Sequence, residues 1–269
     1  MALSFVGYGA AAVGTGSVAV PYPTVTAGNM MVLFVENKYP NNPPTDPAGW
    51  NLVKQQTGGA GSAGVDTGNT YMTVYAKIAD GTETGNLTVT IPSGNSAVGR
   101  MCAWAKEPDS SWSTVYGIGY AQDSAFTGLA IPFSGANLRL NDALMVAGGI
   151  NTNDYTYAVF DFAASGLTFS AKSSVSSATS AGDDSQLIIY RGKVASGETA
   201  ATLNFSVTAS GSAASAPAGA FVLVVLREIG PSVRSMPIKR KIKNIVCLPK
   251  RPPKTDYYEI FEGRIKPPS

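Results

Sequence analysis

Gly59-Ala60-Gly61-Ser62-Ala63-Gly64 has the spacing of a loop that cradles a dinucleotide pyrophosphate. That chemistry needs a strand before the loop and a helix after it, so that the helix N-terminus meets the phosphates. Polar Lys54-Gln55-Gln56-Thr57 precedes it and Val65-Asp66-Thr67-Gly68-Asn69 follows, which predicts a flexible loop between strands instead. The carboxylates Asp80, Glu83, Asp123, Asp154, Asp161, Asp183 and Asp184 offer the raw material for glycoside hydrolysis. Most fall in predicted turns, where Asp serves local hydrogen bonding. Asp183 with Asp184, or the Asn151-Thr152-Asn153-Asp154 loop, could supply oxygens to Ca²⁺. Neither has EF-hand or nonapeptide spacing, so no metal site is expected.

Histidine is absent, with a count of 0. A Ser-His-Asp or Cys-His pair and an HExxH zinc site are therefore excluded within this chain. Its 2 cysteines, Cys102 and Cys247, are too few for a Cys-rich zinc site or a disulfide framework, and free thiols are expected. These residues predict no enzyme and no cofactor.

Binding chemistry is the remaining class. Trp50, Trp104, Trp112, Tyr71 and Tyr75 could line a sugar-binding face, but Trp50 and Trp104 sit in apolar strand patterns and are expected in the core. Tyr155 and Tyr157, beside Asn151 and Asn153, are the better exposed candidates for a host-surface glycan. Asn86-Leu87-Thr88 and Asn204-Phe205-Ser206 match the glycosylation sequon inside predicted strands. The N-terminus lacks the basic start of a signal peptide. No apolar run reaches the ~18–20 residues of a membrane span, so a soluble protein is expected.

The elements that must position these residues are strands. Of 269 residues, 29 are Gly and 17 Pro, and only 14% are charged. That composition favours turns and strands. Segments rich in β-branched and aromatic residues run Ser4 to Tyr8, Ser17 to Val20, Met30 to Val35, Trp50 to Val53, Thr70 to Ile78, Asn86 to Ile91 and Arg100 to Lys106. Met30 to Val35 does not alternate, which predicts burial on both faces at the centre of a sheet.

The series recurs. Val18-Ala19-Val20-Pro21-Tyr22 matches Leu129-Ala130-Ile131-Pro132-Phe133, and Asn29-Met30-Met31-Val32-Leu33 matches Asp142-Ala143-Leu144-Met145-Val146. Ala48-Gly49-Trp50-Asn51-Leu52 resembles Ser165-Gly166-Leu167-Thr168-Phe169. Lys77-Ile78-Ala79 matches Lys193-Val194-Ala195, and Leu87-Thr88-Val89 matches Leu203-Asn204-Phe205, both at an offset of 116. Met101-Cys102-Ala103-Trp104 falls opposite Val222-Leu223-Val224-Val225. Order preserved across so many matches predicts an internal duplication. The expected fold is all-β: two tandem antiparallel sandwich repeats, immunoglobulin-like or jelly-roll-like, over 1–112 and 113–230.

From Pro231 to Ser269 the composition changes. Ten Lys/Arg face three acids, a net +7, and the body keeps ten against fifteen, a net −5. Seven of the 17 prolines lie here, favouring extended chain. Ile242, Ile245, Val246 and Leu248 form one apolar cluster, and Tyr257, Tyr258, Ile260 and Phe261 another. Such a segment reads as an arm that anchors on another subunit. Its partner-binding candidates are Lys239, Arg240, Lys241, Ile242, Lys243, Ile245, Val246, Tyr257, Tyr258 and Phe261. The Lys239-Arg240-Lys241-Ile242-Lys243 run also suits nucleic acid, but no nucleic-acid fold surrounds it and a protein partner is favoured.

Ala27-Gly28-Asn29 before an apolar strand, the Pro47-Ala48-Gly49-Trp50-Asn51-Leu52-Val53 segment and Tyr75-Ala76-Lys77 form a familiar pattern. Over about residues 1–230 it resembles β-sandwich modules of tailed-bacteriophage structural proteins, found in tail fibres, collar appendages and related virion parts. The second repeat keeps the pattern loosely, with Leu167 in place of Trp50. The resemblance implies a non-enzymatic virion component, a homo-oligomer contacting other virion structural proteins. A carbohydrate-binding or adhesin module is the alternative.

Overall fold

The computed structural model describes residues 3–38, 43–58, 62–63, 66–67, 70–92, 96–113, 115–122, 128–133, 138–153, 156–164, 167–179, 183–194, 203–210, 219–230, 260–261 and 264–265. Every regular element among them is a strand. Those of the first half are β1 (Ser4–Tyr8), β2 (Ala12–Gly14), β3 (Ser17–Pro21), β4 (Met30–Lys38), β5 (Asn51–Gly58), β6 (Ser62–Ala63), β7 (Asp66–Thr67), β8 (Thr70–Ile78), β9 (Asn86–Thr90) and β10 (Ala97–Ala105). A short β11 (Ser111–Trp112) leads into β12 (Tyr116–Gln122), β13 (Gly128–Ile131), β14 (Ala143–Asn153), β15 (Thr156–Ala164) and β16 (Leu167–Thr179). The body closes with β17 (Asp183–Val194), β18 (Leu203–Ser210), β19 (Gly219–Leu226) and β20 (Glu228–Ile229).

All pairings are antiparallel. The first sheet runs β1-β10-β4-β8-β5, with β2 also on β10, and β3 pairs β9 as a separate ribbon. The second runs β12-β19-β14-β17-β16 and continues through β15-β18-β13. The first five strands of each sheet follow the same order relative to chain position, and the β13–β18 pair stands where β3–β9 does. Registers agree too: Val20 pairs Leu87 and Ile131 pairs Leu203. As expected for Met30 to Val35, β4 is central and buried along its whole length.

The turns entering the two central strands are built alike. Gly28 and Asn141 both have positive φ, 89° and 69°. Asn is among the few side chains that tolerate this region. One residue later, Asn29 Oδ1 accepts the Thr26 N–H at 2.9 Å and Asp142 Oδ2 accepts the Arg139 N–H at 2.7 Å. The Pro47-Ala48-Gly49-Trp50 turn has its own reason: Trp50 N–H donates to Pro47 C=O, and Gly49 supplies the φ of 79° that a type II turn needs.

The ladders correct two of the repeat matches by one residue. Ala79 N–H donates to Asn29 C=O, and the corresponding donor to Asp142 C=O is Val194, not Ala195. Met30 pairs Trp104 and Ala143 pairs Leu226, so Trp104 answers to Leu226 and not Val225. A one-residue slip would turn every side chain to the opposite face. The second half also departs from the short strands expected: β14, β16 and β17 have 11, 13 and 12 residues. In β16 the Ser- and Thr-rich stretch contains no Gly, Pro, Asn or Asp to stop it.

The two sheets share a core. Leu3, Met30, Val32, Phe34, Met72, Val74, Cys102 and Trp104 of the first pack with Met145, Ala147, Leu187, Ile189, Val222 and Val224 of the second. On its other face the first sheet buries Met31, Leu33, Trp50, Tyr75 and Met101 against Val18, Val20 and Val89 of the β3–β9 ribbon. The other face of the second sheet buries Leu144, Val146, Ile188, Phe221 and Leu223 with Ile131 and Phe133. By contacts the chain forms one compact unit over Met1–Ser232 and another over Val233–Ser269. Within the latter, β21 (Ile260–Phe261) and β22 (Arg264–Ile265) pair antiparallel, Ile260 with Ile265 and Phe261 with Arg264.

Candidate functional site

The shared core ends differently at the two ends of β4. At the Met30 end it opens into a groove of about 420 Å³, walled by Met30, Leu52, Val53, Ile78, Trp112 and Val115. Met72, Val74 and Ala76 of β8 bury their side chains in the core. Ile78 continues that alternation past the last covering residue and is 52% exposed; Leu52, at 48%, pairs with Tyr75 and so belongs to the opposite face of the sheet. β5, which carries Leu52, is an edge strand of its sheet among the described residues. The Trp112 indole is fixed by its N–H, which donates to Gly28 C=O at 2.8 Å.

Lys77 and Trp112 of the groove lining each have acidic neighbours. On one side Lys77 Nζ lies 3.1 Å from Glu83 Oε1 and 3.8 Å from Asp80 Oδ2. Glu83 accepts the N–H groups of Asp80 and Gly81, at 3.0 and 2.9 Å, while Asp80 accepts that of Thr82 at 2.8 Å. The Thr82 hydroxyl and amide hold the Asp80 carboxyl below its usual range. For Glu83, partial desolvation acts upward but is outweighed by the Asp80 amide and Lys77, so its pKa is lowered. These two candidate acids cap one turn and one lysine, which is a local structural task. On the other side, β11 pairs β20, Trp112 opposite Glu228. Glu228 Oε2 accepts the Glu107 N–H at 3.0 Å and the Ser110 hydroxyl at 2.8 Å.

At the opposite end of β4 the core turns polar. Glu36 projects into it with 0% exposure, and neither carboxylate oxygen has a hydrogen-bond partner. Gly149 of β14 leaves it room: a Cβ there would lie 2.5 Å from Glu36 Cγ. Nearby, the Ser185 hydroxyl of β17 is shared with Ser96, 2.6 Å away. Burial pushes the Glu36 carboxyl well above the usual range, and Ser185 and the Lys38 charge offset only part of that. Nothing in the sequence distinguishes Glu36 from a polar strand end, since only the facing glycine makes its direction legible.

The other candidates fall as follows. Trp50, Trp104, Tyr71 and Tyr75 are core residues. Cys102 is a buried free thiol, 3.3 Å from Met145 Sδ, and burial pushes it up to about 12. Ser62–Ala63 of the Gly-rich segment pairs with Asp66–Thr67, and no helix follows among the described residues. The ladder between β14 and β17 brings Asn153 opposite Asp183 and Thr152 opposite Asp184. Among the described residues no group of three His, Cys, Asp or Glu could hold a metal. Asp123, Asp154 and Tyr155 lie outside the described residues, and Tyr157 and Asp161 are placed on β15 by their backbone. Lys239, Arg240, Lys241, Ile242, Lys243, Ile245, Val246, Tyr257 and Tyr258 lie outside the described residues, while Phe261 sits on β21. No helix among the described residues is long and apolar enough to cross a membrane. No family model, curated protein or solved structure matches this chain.

Proposed function

We propose that this chain is a non-enzymatic structural component of a tailed-phage virion, a tail, collar or fibre-attachment subunit. Its body is a duplicated β-sandwich, and its basic C-terminal arm docks on other virion subunits. The observation that carries the duplication is the repeated strand order, β1-β10-β4-β8-β5 against β12-β19-β14-β17-β16, with matching turns and registers. Duplicated sandwiches with rigid faces suit a particle part, where area and shape are what a subunit supplies. The attachment role rests on the sequence of the arm: a net +7 against a body at −5, with apolar anchors between the charges.

Co-sedimentation of the full chain with particles lacking this component tests the reading. Binding lost when Lys239, Arg240, Lys241 and Lys243 are all changed to Glu supports it. Binding unaffected by that change moves the contact onto the sandwich faces. No binding by either form overturns the virion role and turns attention to glycan screening.

A further inference from the structure

Resting on the reading of the body as a duplication, we propose that the seam between the two sheets is an interface with a built-in polarity. Glu36 and Gly149 let a first half accept a second half, its own or that of a second copy, and make it reject another first half. The two residues are counterparts. Glu36 follows Asn29 by seven residues and Gly149 follows Asp142 by seven. Asn29 and Asp142 each accept an N–H on the side chain, from Thr26 or Arg139, and another on the backbone carbonyl, from Ala79 or Val194. The counterparts are also neighbours across the seam, since a Cβ on Gly149 would lie 2.5 Å from Glu36 Cγ.

A residue meets its own counterpart only on a local two-fold axis, and the packing has that symmetry. β8 lies on β14 and β19, as β17 lies on β4 and β10. β4 and β14 run in the same direction. At the Met30 end, Trp104 Nε1 is 3.3 Å from Met145 Sδ; at the Lys38 end, Ser96 Oγ is 2.6 Å from the Oγ of Ser185, the partner of Asn151. Along this axis the first half carries the bulk, with Glu36 answering to Gly149 and Phe34 to Ala147. Two first halves joined in the same way would set Glu36 on Glu36, where even one added methyl group is too close, and would bury two carboxyls without partners. Two second halves would set glycine on glycine and leave a void. Only unlike halves fill the seam. The connection from Ala105 to Tyr116 holds them together in one chain at high effective concentration, and the same surfaces join two chains when halves are exchanged.

Co-expression of full-length variants tests this. In Glu36→Gly both sides of the seam are small, and in Gly149→Glu both are large. Expressed alone, the Gly149→Glu chain should be insoluble, because its halves fit neither each other nor their own kind. Affinity-tagged Glu36→Gly in the same cell should raise its soluble yield several-fold and bring it down in equimolar amount, as a dimer by light scattering. Both seams of that dimer again set one Glu against one Gly. Tagged wild type should not rescue it, since one of the two seams would still hold two glutamates. A Gly149→Glu chain that is soluble by itself overturns the proposal. So does a tagged Glu36→Gly chain that brings none of it down, or rescue by wild type as strong as by Glu36→Gly. Both positions lie off the arm, so particle binding by the wild type and by the variant at Lys239, Arg240, Lys241 and Lys243 is decided separately.

Discussion

Replacing Glu36 with Gln should abolish a pH dependence that the wild-type core imposes on itself. The carboxyl is fully buried, has no hydrogen-bond partner on either oxygen, and is held protonated by burial above its usual range. In the unfolded chain it ionises near 4.5. Between that value and the folded value the native state holds a proton that the unfolded state has lost, so stability falls as pH rises. The fall is at most about 1.4 kcal/mol per pH unit for one group. It starts in the ordinary carboxylate range, and stability is highest below it. Gln has nearly the same shape and no charge, so the variant keeps the packing and loses the slope. Urea titrations followed by the fluorescence of the buried Trp50 and Trp104 measure this at about pH 5 and pH 8. The difference in unfolding free energy, Gln variant minus wild type, should grow by about 1 kcal/mol or more across that interval, at unchanged m-value. A difference that is flat, or that shrinks with pH, would refute the reasoning.

Further outcomes follow from neighbouring contacts. Gly149→Ala should cost about 1–3 kcal/mol by overpacking, since the new methyl group meets Glu36 Cγ at 2.5 Å and Met72 Cε at 2.9 Å. Glu36→Ala in that background should recover part of the loss in a double-mutant cycle measured by urea unfolding. Asp142→Ala removes two acceptors of Arg227, at 2.8 and 2.7 Å, from a partly buried pair; about 3 kcal/mol should be lost. In a Cys247→Ser background, Cys102 should react with a disulfide reagent only as fast as the core opens, because its thiol is buried and protonated.

The first half of the chain was the more legible. β1 and β8 begin and end where their β-branched and aromatic residues do, at Ser4–Tyr8 and Thr70–Ile78. The hydrophobic run of β4 showed its central place, but the strand goes on to Lys38 because Glu36 and Lys38 continue the core-facing alternation. A charged pair at a strand end looks like the start of a loop until a facing sheet is in place. The sequence matches between the two halves showed as composition and order, and their alignment failed by one residue where identity and burial disagreed. Lys77 and Lys193 look alike, yet the buried Ala79 and Val194 are the residues that occupy the same place in their ladders. The groove could not be read at all, because Leu52, Ile78 and Trp112 lie far apart in sequence and are joined only by the ending of one sheet over another.

The shared core also sets a timetable for synthesis. When β10 leaves the ribosome, the inward face of the first sheet, with Phe34, Met72, Val74 and Trp104, has no cover until β14, β17 and β19 exist. More than 100 residues separate Ala105 from Leu226. At roughly 5–20 residues per second, translation leaves that face bare for about 6–24 s, far longer than collapse takes. Nascent chains on neighbouring ribosomes would then present one another with the very surface that the second half is built to cover. Yield should therefore depend on slow crowding of translating ribosomes or on a holding chaperone, even though the finished body buries the same residues completely.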